Sequence, residues 1–389
     1  MTKTKKTVKA QNIFYAILIS TLSLLALGLV MVLSASTQIS FLQTGNQYDI
    51  ALRQLLFSGV GIILMLAISR LPLTFFYKWA NVAIGLAFVL LVMVLIPSIG
   101  ISVAGQRNWI EIFGPFRLQP SEYAKLALVI WGAWVLSKKV EKKELTWKEL
   151  LTPVYWVGLV ITALVVAQGD VGTALIILPI VLAIYYSAGA PLIFNFVNAL
   201  LGVLAIMALT IQAPYRMQRW ISWLDPEADP EGAGWQIIQG QYALAEGGIF
   251  GLGLGASKQK WGWLPAAHTD FIYAVIGEEL GLVGTFFVLF LFAILIISII
   301  TLARRTKNNF TRIFAFGVAG WILIQTLINL GGVLGLLPIT GVPLPLISYG
   351  GSSLVFILVA LGVLLACVRH EPGMKSRSRK VNSKMASRA

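Results

Sequence analysis

WGWLPAAHTDFIYAVIGEELGLVGTFFVLFLFAILIISIITLA, residues 261–303, joins a polar entry to an apolar run long enough to cross a bilayer as a helix. His268, Thr269 and Asp270 stand at the mouth of the run, and Glu278 and Glu279 lie about two helical turns further in. Moving an ionised carboxylate towards hydrocarbon is costly, so carboxyl groups clustered beside a span mark a functional site by default. The rest of the chain is organised around runs of the same apolar kind.

Hydrophobic residues make up 58% of the 389, far more apolar matter than a soluble domain of that length buries, and the mean hydropathy is +0.83. The sequence predicts an integral membrane protein. Apolar runs fall near 13–35, 55–70, 75–97, 120–137, 152–168, 171–187, 191–213, 271–303, 311–337 and 348–368. The expected fold is therefore all-α: a bundle of ten transmembrane helices with a long extracytoplasmic loop, 213–270, between helices 7 and 8. Residues 13–369 form the membrane domain, between a basic N-terminal tail (1–12) and a basic, polar C-terminal tail (370–389) expected to be disordered. The first run is too long for a signal-peptide core and is read as a retained helix.

Most of the 30 Lys and Arg residues fall in the two tails and in the connections near 70–78, 138–148 and 304–312. That bias places these segments, and both termini, in the cytoplasm. The net charge of +14 does not signal nucleic acid, because the basic residues are scattered over loops without interleaved aromatics. Cys367 is the one cysteine, so no disulfide framework or thiolate metal site is expected. Trp220, Trp223, Trp235, Trp261 and Trp263 suit a structured outer cap at the membrane interface.

Four polar segments share the outer side: 105–125, 168–170, the long loop and 335–353. Their convergence fits chemistry at that face. Asp270 has two readings, a general base or an N-cap that it or Thr269 supplies to the eighth run; His268 is a supporting candidate. Lys125 follows a helix start marked by Pro120 and Ser121, where the macrodipole disfavours a cation. It either holds an anion such as phosphate or pairs with Glu122 at i,i+3. Glu278 and Glu279 fit pairing with a buried cation as well as catalysis. The glycines of GGIFGLGLGASKQK (247–260) suit helix packing or a re-entrant turn better than a phosphate cradle, since no Gly-Lys-Ser/Thr follows. DPEADPEG (225–232) reads as a solvated turn before a hard-cation site.

VMVLSAS (30–36), LQPSEYAK (118–125), GDVGTALI (169–176), YRMQRWISWLDP (215–226), ALAEGGIFGLGLGASKQKWGWLPAAHTDFIYAVIGEELG (243–281) and LLPITGVPLPLISYGGSSL (336–354) together resemble the SEDS family of bacterial cell-wall glycosyltransferases. The first of these is more similar to the division branch than to the elongation branch. The resemblance implies polymerisation of lipid II, the undecaprenyl-diphosphate-linked disaccharide-pentapeptide, by inverting glycosyl transfer at the outer face of the cytoplasmic membrane, at the division septum. Asp270 falls on the family's essential aspartate. Gln119, Ser121, Glu122 and Lys125 fall on its QPSE-x-x-K segment, Arg216 and Arg219 on its outer-loop segment, and Ser348 and Ser352 on its C-terminal motif. With Arg107, His268 and Thr269, these are the residues expected to bind substrate. Implied partners are a class B penicillin-binding protein, other division proteins and membrane lipid, and a divalent cation, Mg²⁺ or Mn²⁺, would help neutralise the diphosphate. The chain departs from the pattern at Ala266, where glutamate is common, at Asn108, where arginine precedes tryptophan, and at Gly240 and Gln241. The rival reading is a flippase for the same lipid-linked precursor; a non-catalytic scaffold is a third.

Overall fold

Backbone polar groups find no partner in hydrocarbon, and each apolar run satisfies its own by folding as a helix. The computed structural model describes residues 9–103, 105–113, 116–142, 150–151, 153–211, 214–372 and 374; the tails at 1–8 and 375–389 and the basic segment 143–149 lie outside the described residues. In chain order the helices are α1 (Ala10–Thr44), α2 (Asp49–Ile68), α3 (Leu73–Met93), α4 (Pro120–Glu141), α5 (Pro153–Ala167), α6 (Val171–Ala188), α7 (Leu192–Ile211), α8 (Pro214–Leu224), α9 (Trp235–Glu246), α10 (Ile272–Arg305), α11 (Asn309–Val333) and α12 (Gly351–Arg369). Among the described residues eight of these, α1–α3, α6, α7 and α10–α12, are long and apolar enough to cross a membrane. The other two runs fold as α5, which has 15 residues, and α4, which has 22 and carries Glu122, Lys125, Lys138, Lys139 and Glu141. A count of ten spans rests on adding these two. The charges of α4 are tolerable because its outer half packs inside the protein, against α3, α6 and α11, and not against lipid.

The core lies around α11 and α12, the most buried of the spans, while α7 is peripheral. α1 is longer than its apolar run. Its 35 residues extend about 52 Å, beyond the roughly 30 Å of hydrocarbon, and carry Ser34 and Gln38 to the outer loops. One element lies outside the helical expectation, a small antiparallel sheet of β1 (Gly100–Val103), β2 (Gln106–Phe113) and β3 (Phe116–Leu118), with Gly100 paired to Ile110 and Glu111 to Arg117. It links α3 to α4, and Arg107 N–H donates to Gln168 O at 3.1 Å, tying the sheet to the α5–α6 turn.

The quoted 271–303 run is not one helix. α10 breaks at Gly281, with φ +66° and ψ −165°, a conformation that favours glycine. A Cβ there would meet Gly251 N and Ile249 O at 2.4 Å. The groups freed by the break are taken up by the glycine-rich loop: Leu252 and Gly253 N–H donate to Glu278 and Glu279 O, and Leu282 and Val283 N–H to Gly248 and Ile249 O, at 2.9–3.2 Å. The loop's glycines serve this approach, as a packing role predicts. The 225–232 stretch is likewise an exposed turn, where Asp229 accepts from Ala233 N–H. The outer loop is structured, with Trp223 Nε1 donating to Gly335 O, Trp235 Nε1 to Trp263 O and Gln236 Nε2 to Pro265 O.

Glu231, between α8 and α9, and Lys142, after α4, are both exposed and lie at opposite ends of the bundle. Single cysteines at Glu231→Cys and Lys142→Cys in a Cys367→Ser background are expected to react with an impermeant thiol reagent from outside spheroplasts at 231 only. Reaction at both positions would overturn the orientation that the basic-residue bias assigns.

Candidate active site

Asp270 immediately precedes α10 without capping it. The N-cap residue is Phe271, and no side chain accepts from the first turn. The turn closes on itself: Ala266, at φ +55°, offers its carbonyl to Thr269 N–H, Phe271 N–H and the Thr269 hydroxyl at 3.0, 3.2 and 3.2 Å. Neither Asp270 nor Thr269 spends its side chain on the helix, so the cap reading fails. The Asp270 carboxylate faces a narrow cleft with Asn329, Gly341 and Val342. Desolvation there raises its pKa from 3.8 to about 6, and the Arg219 guanidinium opposes the rise. Through Ile339 and Thr340 this cleft adjoins a second one lined by Gln106, Arg216, Arg219 and Trp220. Arg219 donates to Ile339 O at 3.2 Å and Arg216 to Leu209 O at 3.2 Å.

Two loops hold the carboxylate in place. The Ser348 hydroxyl donates to Thr269 O at 2.6 Å and accepts from Leu344 N–H at 2.8 Å, while Tyr349 N–H donates to His268 O at 3.0 Å. Asn329 Nδ2 bridges them, donating to Asp270 O and Val342 O, both at 2.8 Å. Gln325, about one turn earlier on α11, donates to Pro343 O at 3.0 Å. His268 has its pKa lowered from 6.5 to about 4 by desolvation, so near neutral pH it is an uncharged group beside Tyr349 and not a cation for phosphate.

Several of the other expected site residues make contacts within the protein. Lys125 is fully buried: its ammonium pairs with Glu122 at 2.8 Å, lies 3.4 Å from Gln325 Oε1 and sits over the Trp321 ring. This is the ion-pair reading: the ammonium is enclosed by Glu122, Gln325 and Trp321. Gln119 Nε2 donates to Asp170, whose carboxylate also caps α6 through Thr173. The Ser352 hydroxyl donates to Arg117 O and accepts from Gln119 N–H, pinning β3 to α12. Ser121 is buried at the α4 start. Arg107 reaches Leu95 O at 3.5 Å, and the neighbouring Asn108 donates to Asp170. Glu278 accepts from the Ser257 hydroxyl and Lys258 and Gln259 N–H, and Glu279 pairs with Lys260 at 2.9 Å, so both carboxylates are structural.

Sequence reasoning did not single out Asn329, Gln106 or Thr340. A signal existed for the first, since Gln325 and Asn329 are amides at i,i+4 in an apolar run and so share one helix face. Among the described residues no group of three or more His, Cys, Asp or Glu side chains could hold a metal ion. The donors around Asp270 therefore do not form a protein cage for Mg²⁺ or Mn²⁺.

The model of the FtsW, RodA and SpoVE family, described as cell cycle proteins, matches residues 15–372. Stage V sporulation protein E of Bacillus subtilis is 40% identical over 91% of this chain and 96% of its own length. A probable peptidoglycan glycosyltransferase FtsW of Mycobacterium tuberculosis is 42% identical over 92% of this chain and 68% of its own. Among solved structures, the rod shape determining protein RodA of Thermus thermophilus superposes with a TM-score of 0.68 at 27% identity, covering 91% of this chain and 96% of that one. A chain from a peptidoglycan synthase complex that coordinates polymerization and crosslinking superposes at 0.69, with 28% identity, 91% and 97%.

The Lys125–Glu122 pair carries its own test. Lys125→Met leaves a buried carboxylate without its counter-ion and should destabilise the protein by about 3–5 kcal/mol. Adding Glu122→Gln removes the stranded charge and should restore most of the loss in thermal denaturation. A stable single Lys125→Met variant would mean that the ammonium is not the partner Glu122 needs.

Proposed function

The chain belongs to the FtsW, RodA and SpoVE family of cell cycle proteins, and on that premise we propose that Asp270 is the general base with which it polymerises lipid II into glycan strands at the outer face of the cytoplasmic membrane. It is a multi-pass membrane protein and a peptidoglycan glycosyltransferase. The observation that carries the role of Asp270 is its carboxylate: uncapped, in the outer cleft, and with its pKa pushed up to about 6. At neutral pH such a group is ionised, yet it holds a proton more firmly than an ordinary aspartate.

In the reaction, a sugar 4-hydroxyl of one lipid-linked substrate attacks the anomeric carbon of another from the face opposite the diphosphate. Asp270 takes the hydroxyl proton as the new C–O bond forms. The anomeric C–O bond to diphosphate breaks, its electron pair leaves with the lipid diphosphate, and the configuration inverts. Negative charge develops on that leaving group, and Arg219 and Arg216 beside the adjoining cleft are the cations placed to meet it. Lys125 acts at one remove, by holding Gln325 and through it the Pro343 carbonyl.

A class B penicillin-binding protein is the proposed partner. Support comes from the likeness to a chain of a complex that joins polymerization to crosslinking. Cytoplasmic termini and septal placement complete the reading, with division-type relatives and the basic-residue bias behind them. The outer clefts and the wholly buried Lys125 pair favour chemistry at one face over a charged path for a flipped head group.

Purified protein given lipid II should make polymer, and Asp270→Asn should lower the rate by about 10²–10⁴-fold while lipid II still binds, because the amide cannot take the proton. A loss of only a few-fold would remove Asp270 from the chemistry. For the wild type, kcat/KM should fall as pH drops through about 6, where the carboxylate takes up its proton and ceases to be a base. Since Arg219 lowers that pKa, Arg219→Gln should shift the acid limb to higher pH. An unmoved limb would show that the titrating group is not Asp270.

A further inference from the structure

At the end of the bundle away from Asp270, a cavity of about 740 Å³ opens between the start of α1, the α10–α11 connection and the end of α12. Lys9 lines it from the start of α1 and Arg305 and Lys307 from the α10–α11 connection, and all three side chains are exposed. None of them belongs to an ion pair found among the described residues. Glu371 is the one carboxylate in the lining, and it accepts from the Thr306 hydroxyl. His370 also faces the cavity, with Nδ1 held at 2.8 Å from Ala366 O. Ile13 and Leu302 supply apolar floor.

Three cations outnumber the single carboxylate of the lining, and the excess positive charge calls for an anion. The backbone adds to the demand, since Lys9 precedes the first turn of α1, where the macrodipole opposes a cation, and α11 begins at the same cavity with its own N-terminus. An anion placed there relieves both. The cavity also sits where these helices leave the hydrocarbon, on the side the basic-residue bias assigns to the cytoplasm, and the anion at that level is a phosphate on the lipid itself.

We propose that this cavity is a binding site for the phosphate of an anionic phospholipid of the inner leaflet. Lys9, Arg305 and Lys307 hold the phosphate oxygens, and Ile13 and Leu302 receive the first carbons of the glycerol and acyl chains. A lipid bound here bridges the beginnings of α1 and α11 and the ends of α10 and α12.

Native mass spectrometry of the full chain, released from detergent with phosphatidylglycerol or phosphatidylcholine added, tests the site. The wild type should retain one phosphatidylglycerol more tightly than any phosphatidylcholine. Three cations near an anionic headgroup set the scale, so the combined variant Lys9→Gln, Arg305→Gln, Lys307→Gln should weaken that lipid by about a hundredfold. A control with the same charge loss on the same face, Lys78→Gln, Lys139→Gln, Lys142→Gln, should retain it. Equal retention by the cavity variant, or equal loss in the control, would overturn the site. Inorganic phosphate is the arm that separates the source: displacement of the lipid by millimolar phosphate would mean a free-phosphate site and would overturn the lipid assignment. Unchanged size-exclusion profiles and melting temperatures show that the variants are folded, and a cavity variant that melts early is replaced by the single Lys307→Gln change, in a connection outside the helices.

Discussion

A break in a membrane-spanning helix exposes backbone groups that must be satisfied inside the protein, and the one at Gly281 organises the outer half of this molecule. Residues 248–253 supply the missing partners. The turn before the break places Glu278 and Glu279 in the interior, where they gather Ser257, the N–H groups of 257–259, Lys260 and, across the bundle, Ser34 of α1. Buried carboxylates are stable only when paired, so these contacts seat the 255–261 segment firmly. The segment runs directly into 261–271, with Gln38 of α1 holding Trp261 O, and the direction in which Asp270 points follows from it.

A second polar seam runs along α11. Trp321, Gln325 and Asn329 recur at i+4 spacing on one face, and that face meets the Glu122–Lys125 pair of α4 on one side and the 338–350 loop on the other. Each amide uses its fixed geometry to join two elements: Gln325 accepts from Trp321 and Lys125 and donates to Pro343 O, and Asn329 donates to both Asp270 O and Val342 O. A rigid frame of this kind is what a positioned base needs, because a proton transfer is sensitive to small displacements. Lys125 is linked through Gln325 to the loop that carries Pro343.

The two ends of the bundle differ in what their cavities offer. At the outer end a carboxylate is partly desolvated beside arginines, which suits making and breaking bonds to a charged leaving group. At the other end three cations and a single carboxylate line a roomy cavity, and the excess of positive charge suits holding an anion. Between them lie the densely apolar α11 and α12.

Apolar runs of membrane length determined the helical class and the place of every long helix, because hydrocarbon leaves a chain few alternatives. The basic-residue bias gave an expected orientation, and the SEDS-like motifs pointed to Asp270 and its loop. Where sequence stopped was in deciding between partners. Lys125 beside Glu122 at i,i+3 reads equally as a pair or as an anion site, and only the packing of α11, with Gln325 and Trp321 closing over the ammonium, settles it as a pair. Asp270 before a helix reads as a cap ahead of a base, and the Ala266 turn, which closes without it, releases the side chain to the cleft. Gly281 looked like one more residue of an apolar run, and Asn329 like a stray amide in another. Their roles depend on contacts with residues 30 and 59 positions away in sequence, and such contacts exist only once the bundle has closed.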